Sequence, residues 1–165
     1  MTALTDSPAP SSADEARQVQ AGGQRGIDPR GPQFGAAITS VILAAVLLTP
    51  TPVAIALLAF QTVLFGLGVA RGVGRTPYSW LFRTFVRPRL AAPKDLEDPR
   101  PPRFAQAVGL SFAGLALIAY VLGAAVVGQV LVGFALAAAF LNAAFAFCLG
   151  CEMYLAAARL RIARA

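Results

Sequence analysis

The chain has no histidine, only two cysteines, and charge on just 13 % of its residues. Without histidine it lacks the commonest metal ligand, the usual general base and the side chain that titrates near neutral pH. Two cysteines cannot build the multi-bridge framework of a small secreted domain. A soluble domain carries roughly 25 % charged and ~45–50 % apolar residues, whereas here hydrophobic residues reach 57 %. With 165 residues there is room for one domain, and a mean hydropathy of +0.65 points to lipid as its solvent.

What is present is concentrated in four apolar blocks, Phe34–Thr49, Val53–Ala70, Phe104–Leu122 and Val126–Cys148, none of which holds an Asp, Glu, Lys or Arg. A helix needs roughly 20 residues to cross the ~30 Å hydrocarbon core, so these predict four transmembrane helices in an all-α bundle. Thr49-Pro50-Thr51-Pro52 parts the first pair and Gly123 the second. The expected organisation is a tail over 1–33, disordered to about Gly26, a membrane domain over 34–158, and a basic tail over 159–165. Residues 1–33 contain no apolar stretch of the signal-peptide kind.

All fourteen basic residues fall in the tails and in the loop over 71–103, on one side of a four-span model. The positive-inside rule puts that side, and both termini, in the cytoplasm of a multi-pass cell-membrane protein. The pI of 10.4 follows from arginines flanking spans, so no nucleic-acid partner is expected. Inside the loop, Thr76-Pro77 is a helix start. Tyr78, Leu81, Phe82, Phe85 and Val86 then recur at helical spacing. This predicts an interfacial amphipathic helix anchored by Trp80, with Arg83 and Arg87 facing anionic lipid or a docking partner and Pro88 ending it. Ala91–Arg103 is expected to be extended linker.

Proton or ion transport requires ionisable groups at depth, and the blocks offer only neutral ones such as Thr39, Gln61, Gln106, Ser111 and Asn142. Hydrogen bonding between helices is their expected use; a solute pathway would need a cavity shared by Gln61, Ser111 and Asn142. Small-xxx-small pairs, Gly68-xxx-Gly72 and Gly109-xxx-Ala113, suit close packing.

Both cysteines fall in Phe147-Cys148-Leu149-Gly150-Cys151-Glu152. If the fourth helix continues to Arg159, their Cα atoms lie ~5 Å apart, within disulfide range, with side chains diverging and Gly150 permitting local unwinding. The pair would then sit at the negative end of a helix, which disfavours thiolate. Three readings stand open: a thiol or sulfur site of Cys148 and Cys151 with Glu152 as proton acceptor and Gln106 and Asn142 as supporting polar groups, two structural cysteines, or half a metal site. No cofactor motif is present, and no metal centre is assigned.

Ile27-Asp28-Pro29-Arg30, Arg75-Thr76-Pro77-Tyr78, Pro102-Arg103-Phe104-Ala105-Gln106-Ala107-Val108-Gly109 and the stretch from Leu141 to Cys151 carry a resemblance. From about Ile27 to Leu155 the chain resembles the bacterial integral-membrane family catalogued as domain of unknown function 4395. The resemblance implies a small membrane protein without an assigned activity. The frequent proximity of its relatives to thioredoxin-like or sulfurtransferase proteins implies such a cytoplasmic partner. The leading expectation is therefore a membrane thiol-redox or sulfur-handling protein, enzymatic or not. The competing one is a non-enzymatic membrane scaffold or subunit that docks a partner through its basic central loop.

Overall fold

The computed structural model describes residues 26–91, 93 and 96–162. The tail expected to be disordered lies outside the described residues up to residue 25, as do Lys94 and residues 163–165. The described chain is all helical: α1 (Arg30–Leu48), α2 (Thr51–Arg71), α3 (Pro77–Leu81), α4 (Arg100–Val121), α5 (Ala125–Phe145) and α6 (Leu149–Ile162). α1, α2, α4 and α5 are each long and apolar enough to cross a membrane.

The breaks follow from backbone chemistry. Pro50 forces Thr49 into extended geometry (φ −105°, ψ 157°), and the Thr49 hydroxyl donates to the Ala45 carbonyl at 2.8 Å, occupying a last-turn acceptor. α1 and α4 both start earlier than the apolar pattern suggests. Asp28 and Asp98 each accept the N–H of the first helical residue, Arg30 at 3.0 Å and Arg100 at 2.9 Å. Pro101 and Pro102 sit in the first turn of α4, where their missing N–H costs nothing. The proline-rich stretch expected to be linker up to Arg103 is thus helix from Arg100 onward. An antiparallel pair of bonds between Ile27 and Glu97, 2.9 and 3.0 Å, ties the lead-in of α1 to that of α4.

The four long helices form a ring in which α1 and α4 each pack against both α2 and α5. Leu43, Val46, Leu58 and Val132 meet the small faces of Ala113 and Ala116 at the centre. Glycines accept large side chains rather than a second backbone: a Cβ at Gly109 would lie 2.7 Å from the Phe65 ring, and one at Gly128 would lie 2.6 Å from Tyr120. Gly72 of the expected Gly68-xxx-Gly72 packing pair instead ends α2 with a positive φ of 83°.

The outside of the ring is apolar, with Val41, Phe60, Leu115, Ile118, Phe134 and Phe140 all exposed. Such a girdle is far larger than water tolerates on a monomer and suggests a multi-pass membrane protein. Three of its hydroxyls are satisfied within their own helices: Ser40 donates to Ala36, Thr62 to Leu58 and Ser111 to Ala107, at 2.7–3.0 Å. The expected bonding between helices is confined, among these residues, to Gln61, which donates to Thr39 at 3.3 Å and accepts from the Tyr78 hydroxyl at 3.0 Å.

α3 begins as its sequence dictates, with Thr76 Oγ1 accepting from the Ser79 N–H at 3.2 Å. Its regular period ends at Leu81, and Phe82–Val86 widens into a π-helical turn. A 3-10 turn over Arg87–Arg89 carries the helical path through Pro88, where it was expected to end, to Leu90, because proline fits the first turn of a new helical segment. Tyr78 and Phe82 therefore turn into the bundle, Phe82 buried beside Phe34. Phe85 stays outside with the exposed Trp80, edge to face at 6.2 Å. The five-residue apolar face expected from the spacing is thus split between bundle and surface.

Candidate functional site

α5 stops three residues short of Cys148. Ala146 adopts left-handed geometry (φ 54°, ψ 23°), its N–H bonds back to the Asn142 carbonyl at 3.1 Å, and the Phe147 N–H reaches Leu141. That is a Schellman-like stop in which alanine occupies the place glycine usually fills. A new helix, α6, starts immediately afterwards. The expectation that the fourth span runs through Cys148 towards Arg159 is corrected accordingly, because the left-handed residue turns the chain before the cysteines.

The cysteines consequently open a helix. Cys148 precedes the first residue of α6, its Sγ accepts the Cys151 N–H at 3.3 Å, and its carbonyl accepts from Glu152 at 3.0 Å. Sulfur thus stands where a serine or aspartate oxygen would cap the helix. The two cysteines are joined as a disulfide, with Cα atoms 5.2 Å apart, and the positive end of α6 favours thiolate when they are reduced. The unfavourable dipole expected from a continuous helix is reversed.

Gly150 lies inside α6 and unwinds nothing. A Cβ there would sit 2.7 Å from both Cα and Cβ of Ala105, so its bare backbone lets the first turn of α6 rest directly on α4. Phe104 and Tyr154 complete that contact with ring centroids 5.8 Å apart.

Beside Cys148 lies a cavity of about 290 Å³ bounded by α1, α4, α5 and α6, with Phe65 of α2 at its back. Its walls are mainly aromatic rings, alanines and Met153, with the Thr39 hydroxyl among them and no charged side chain. Gln106 and Asn142 both line it, together with Cys148. Neither amide has a side-chain hydrogen-bond partner among the described residues. Cys151 and Glu152 do not line it, and the Glu152 side chain is exposed. Gln61, Ser111 and Asn142 do not share a cavity: Gln61 is fully buried, Ser111 faces outward and Asn142 alone reaches this space.

Arg83 and Arg87 stand apart from the cysteine pair. They line a second hollow of about 330 Å³ together with Asp28 and Leu96, and Trp80 lies on the surface nearby, outside the hollow. Other arginines at this end of the bundle bond backbone carbonyls: Arg103 Nε donates to Val69 in the last turn of α2 at 2.6 Å, and Arg30 donates to Ala91 in the loop before α4 at 3.0 Å. Tyr78, in α3, is a half-buried group that sequence reasoning treated only as apolar. Burial pushes its hydroxyl up to about 12, against the lowering pull of hydrogen bonds to Thr39 and Gln61.

The family model described as Domain of unknown function (DUF4395) matches residues 27–159. No curated protein and no solved structure matches the chain.

Proposed function

Because the chain belongs to the family described as Domain of unknown function (DUF4395), which assigns no activity, we propose from its site that it is a membrane thiol–disulfide protein. The carrying observation is the Cys148–Cys151 pair at the first turn of α6, with Cys148 lining a cavity between spans. Cys148 accepts the Cys151 N–H and sits at the positive end of the helix, so its thiolate is the stabilised, attacking one. Cys151 is the resolving thiol. Gln106 and Asn142 supply neutral polar contacts on the cavity side, and the exposed Glu152 carboxylate, four residues after Cys148, takes up the released proton.

The arginine-rich end of the bundle, which holds α3, the start of α4 and α6, faces the cytoplasm. α3 and its Phe82–Val86 extension lie in the headgroup plane, with the exposed Trp80 and Phe85 in the interface. The electron-exchanging partner on that side is a soluble thioredoxin-like or sulfurtransferase protein. A docking-scaffold role is favoured by the exposed Trp80 and by the arginines beside it, and it makes no use of the cysteines.

Equilibration of the purified full-length protein with glutathione buffers of graded ratio tests the proposal. The expected result is one sigmoidal two-electron transition, read by alkylation and intact mass and abolished in Cys148→Ser. Cysteines that do not exchange at any ratio would refute it and leave the scaffold.

A further inference from the structure

The thiol pair and the cavity are one feature, and the cavity has chemical requirements of its own. We infer that it binds the ring of a membrane quinone, which takes the electron pair from the Cys148–Cys151 dithiol. This rests on the thiol–disulfide reading and names its electron acceptor.

A dithiol closing to a disulfide releases two electrons and two protons, so it needs a two-electron acceptor. Nicotinamide and flavin nucleotides carry phosphates, which call for cationic side chains or a glycine-rich cradle of N–H groups. No charged residue lines this cavity. At about 290 Å³ it also stands at the lower limit of small-molecule sites, ~300 Å³, enough for one substituted ring and too small for a dinucleotide. A neutral, apolar, ring-shaped acceptor with hydrogen-bond acceptors on its rim fits all of these conditions.

The polar groups fit it as well. Gln106 and Asn142 come from different helices and line a mostly apolar space, whose other lining hydroxyl, Thr39, already accepts from Gln61. Among the described residues no buried side-chain N or O lacks a partner, so these two amides are accessible, and each can donate to a carbonyl oxygen of a quinone. Gln106 lies six residues into α4, ~9 Å along the helix from its start, so the ring sits near the boundary of the hydrocarbon. That is where a carrier with an apolar tail places its head. Phe112 and Phe134, both lining the cavity with centroids 6.4 Å apart, offer ring faces.

The chemistry balances. The Cys148 thiolate adds to a ring carbon, and the electron pair moves onto a carbonyl oxygen held by an amide. Cys151 then attacks Cys148 Sγ, forming the S–S bond and breaking the C–S bond, whose electron pair returns to the ring. The two thiol protons end on the two oxygens, giving hydroquinone and disulfide.

The test uses full-length protein in quinone-free nanodiscs, reduced with a phosphine that is then removed. The probe is decylubiquinone, whose fully substituted ring has no C–H position at which an added thiol could be retained as an aryl thioether. The expected result is one hydroquinone formed per disulfide closed, at a rate that saturates with quinone. In Asn142→Leu the half-saturating concentration should rise about ten-fold. Absence of hydroquinone in a protein whose dithiol still closes with oxidised glutathione overturns the quinone assignment alone. A dithiol closed by neither oxidant overturns the thiol reading with it. An Asn142→Leu protein that saturates like the unaltered one overturns the place given to that amide.

Discussion

Several residues here hold conformations or neighbours that a generic substitute would not accept. Gly150 is one: a Cβ would meet Ala105 at 2.7 Å, and backbone cannot swing aside as a side chain can. Gly150→Val is expected to lift the first turn of α6 off α4 and cost ~1–3 kcal/mol. It should read out as a lowered melting temperature and faster alkylation of the reduced cysteines. Ala146 is the opposite case, an alanine already in left-handed geometry (φ 54°). Ala146→Gly should stabilise by about 1 kcal/mol, since that geometry costs an L-residue ~1–2 kcal/mol, and melting in one detergent checks it. Tyr78 gives a pH signature. With its hydroxyl held at about 12 against an ordinary 10.0, the folded state keeps a proton that the unfolded state releases. Stability from this group is therefore complete below pH 10 and is lost as pH rises towards 12. Tyr78→Phe should remove that alkaline slope. At neutral pH it should cost ~1–3 kcal/mol, because Gln61 Oε1 loses its donor in the bundle.

At the scale of elements, length and hydropathy placed the four long helices well, because a span is a composition signal summed over some twenty residues. The ends were harder. Pro101 and Pro102 suggest linker until their place in a first turn is seen, and the Asp98 side chain that receives the Arg100 N–H lies just before them. The stop after Phe145 left almost no trace, since Ala146 is a good helix former and the apolar run continues through Cys148. Missing that one residue inverted the electrostatics of the cysteine pair, from the negative end of one helix to the positive end of the next. The motif itself was plain, and so was the pairing of Thr76 with Pro77. What escaped was the Thr39–Gln61–Tyr78 chain of hydrogen bonds, because it joins residues far apart in sequence whose register only packing sets.

For the whole molecule, the arrangement of charge and apolar surface makes a directional prediction. Basic residues gather at the end of the bundle holding Arg71, Arg75, Arg100 and Arg103, while the turns at Thr49 and Gly123 carry none. In a background with both native cysteines replaced by serine, a single cysteine at Thr49 or Gly123 should react with an impermeant maleimide in intact cells. One at Arg75 should react only after permeabilisation. The reverse pattern would turn the cysteine pair to the outer face and exclude a cytoplasmic thiol partner.

The central claim is that Cys148 and Cys151 work as an exchanging pair, and their redox state in living cells tests it most directly. Acid quenching, alkylation with a mass tag and intact-protein mass count the free thiols. The account predicts a mixed population of dithiol and disulfide that shifts when cells are given an oxidant or a reductant. A pair that stays in one state under every condition, whether fully reduced or fully bridged, would contradict it and leave the cysteines as the structural cap of α6.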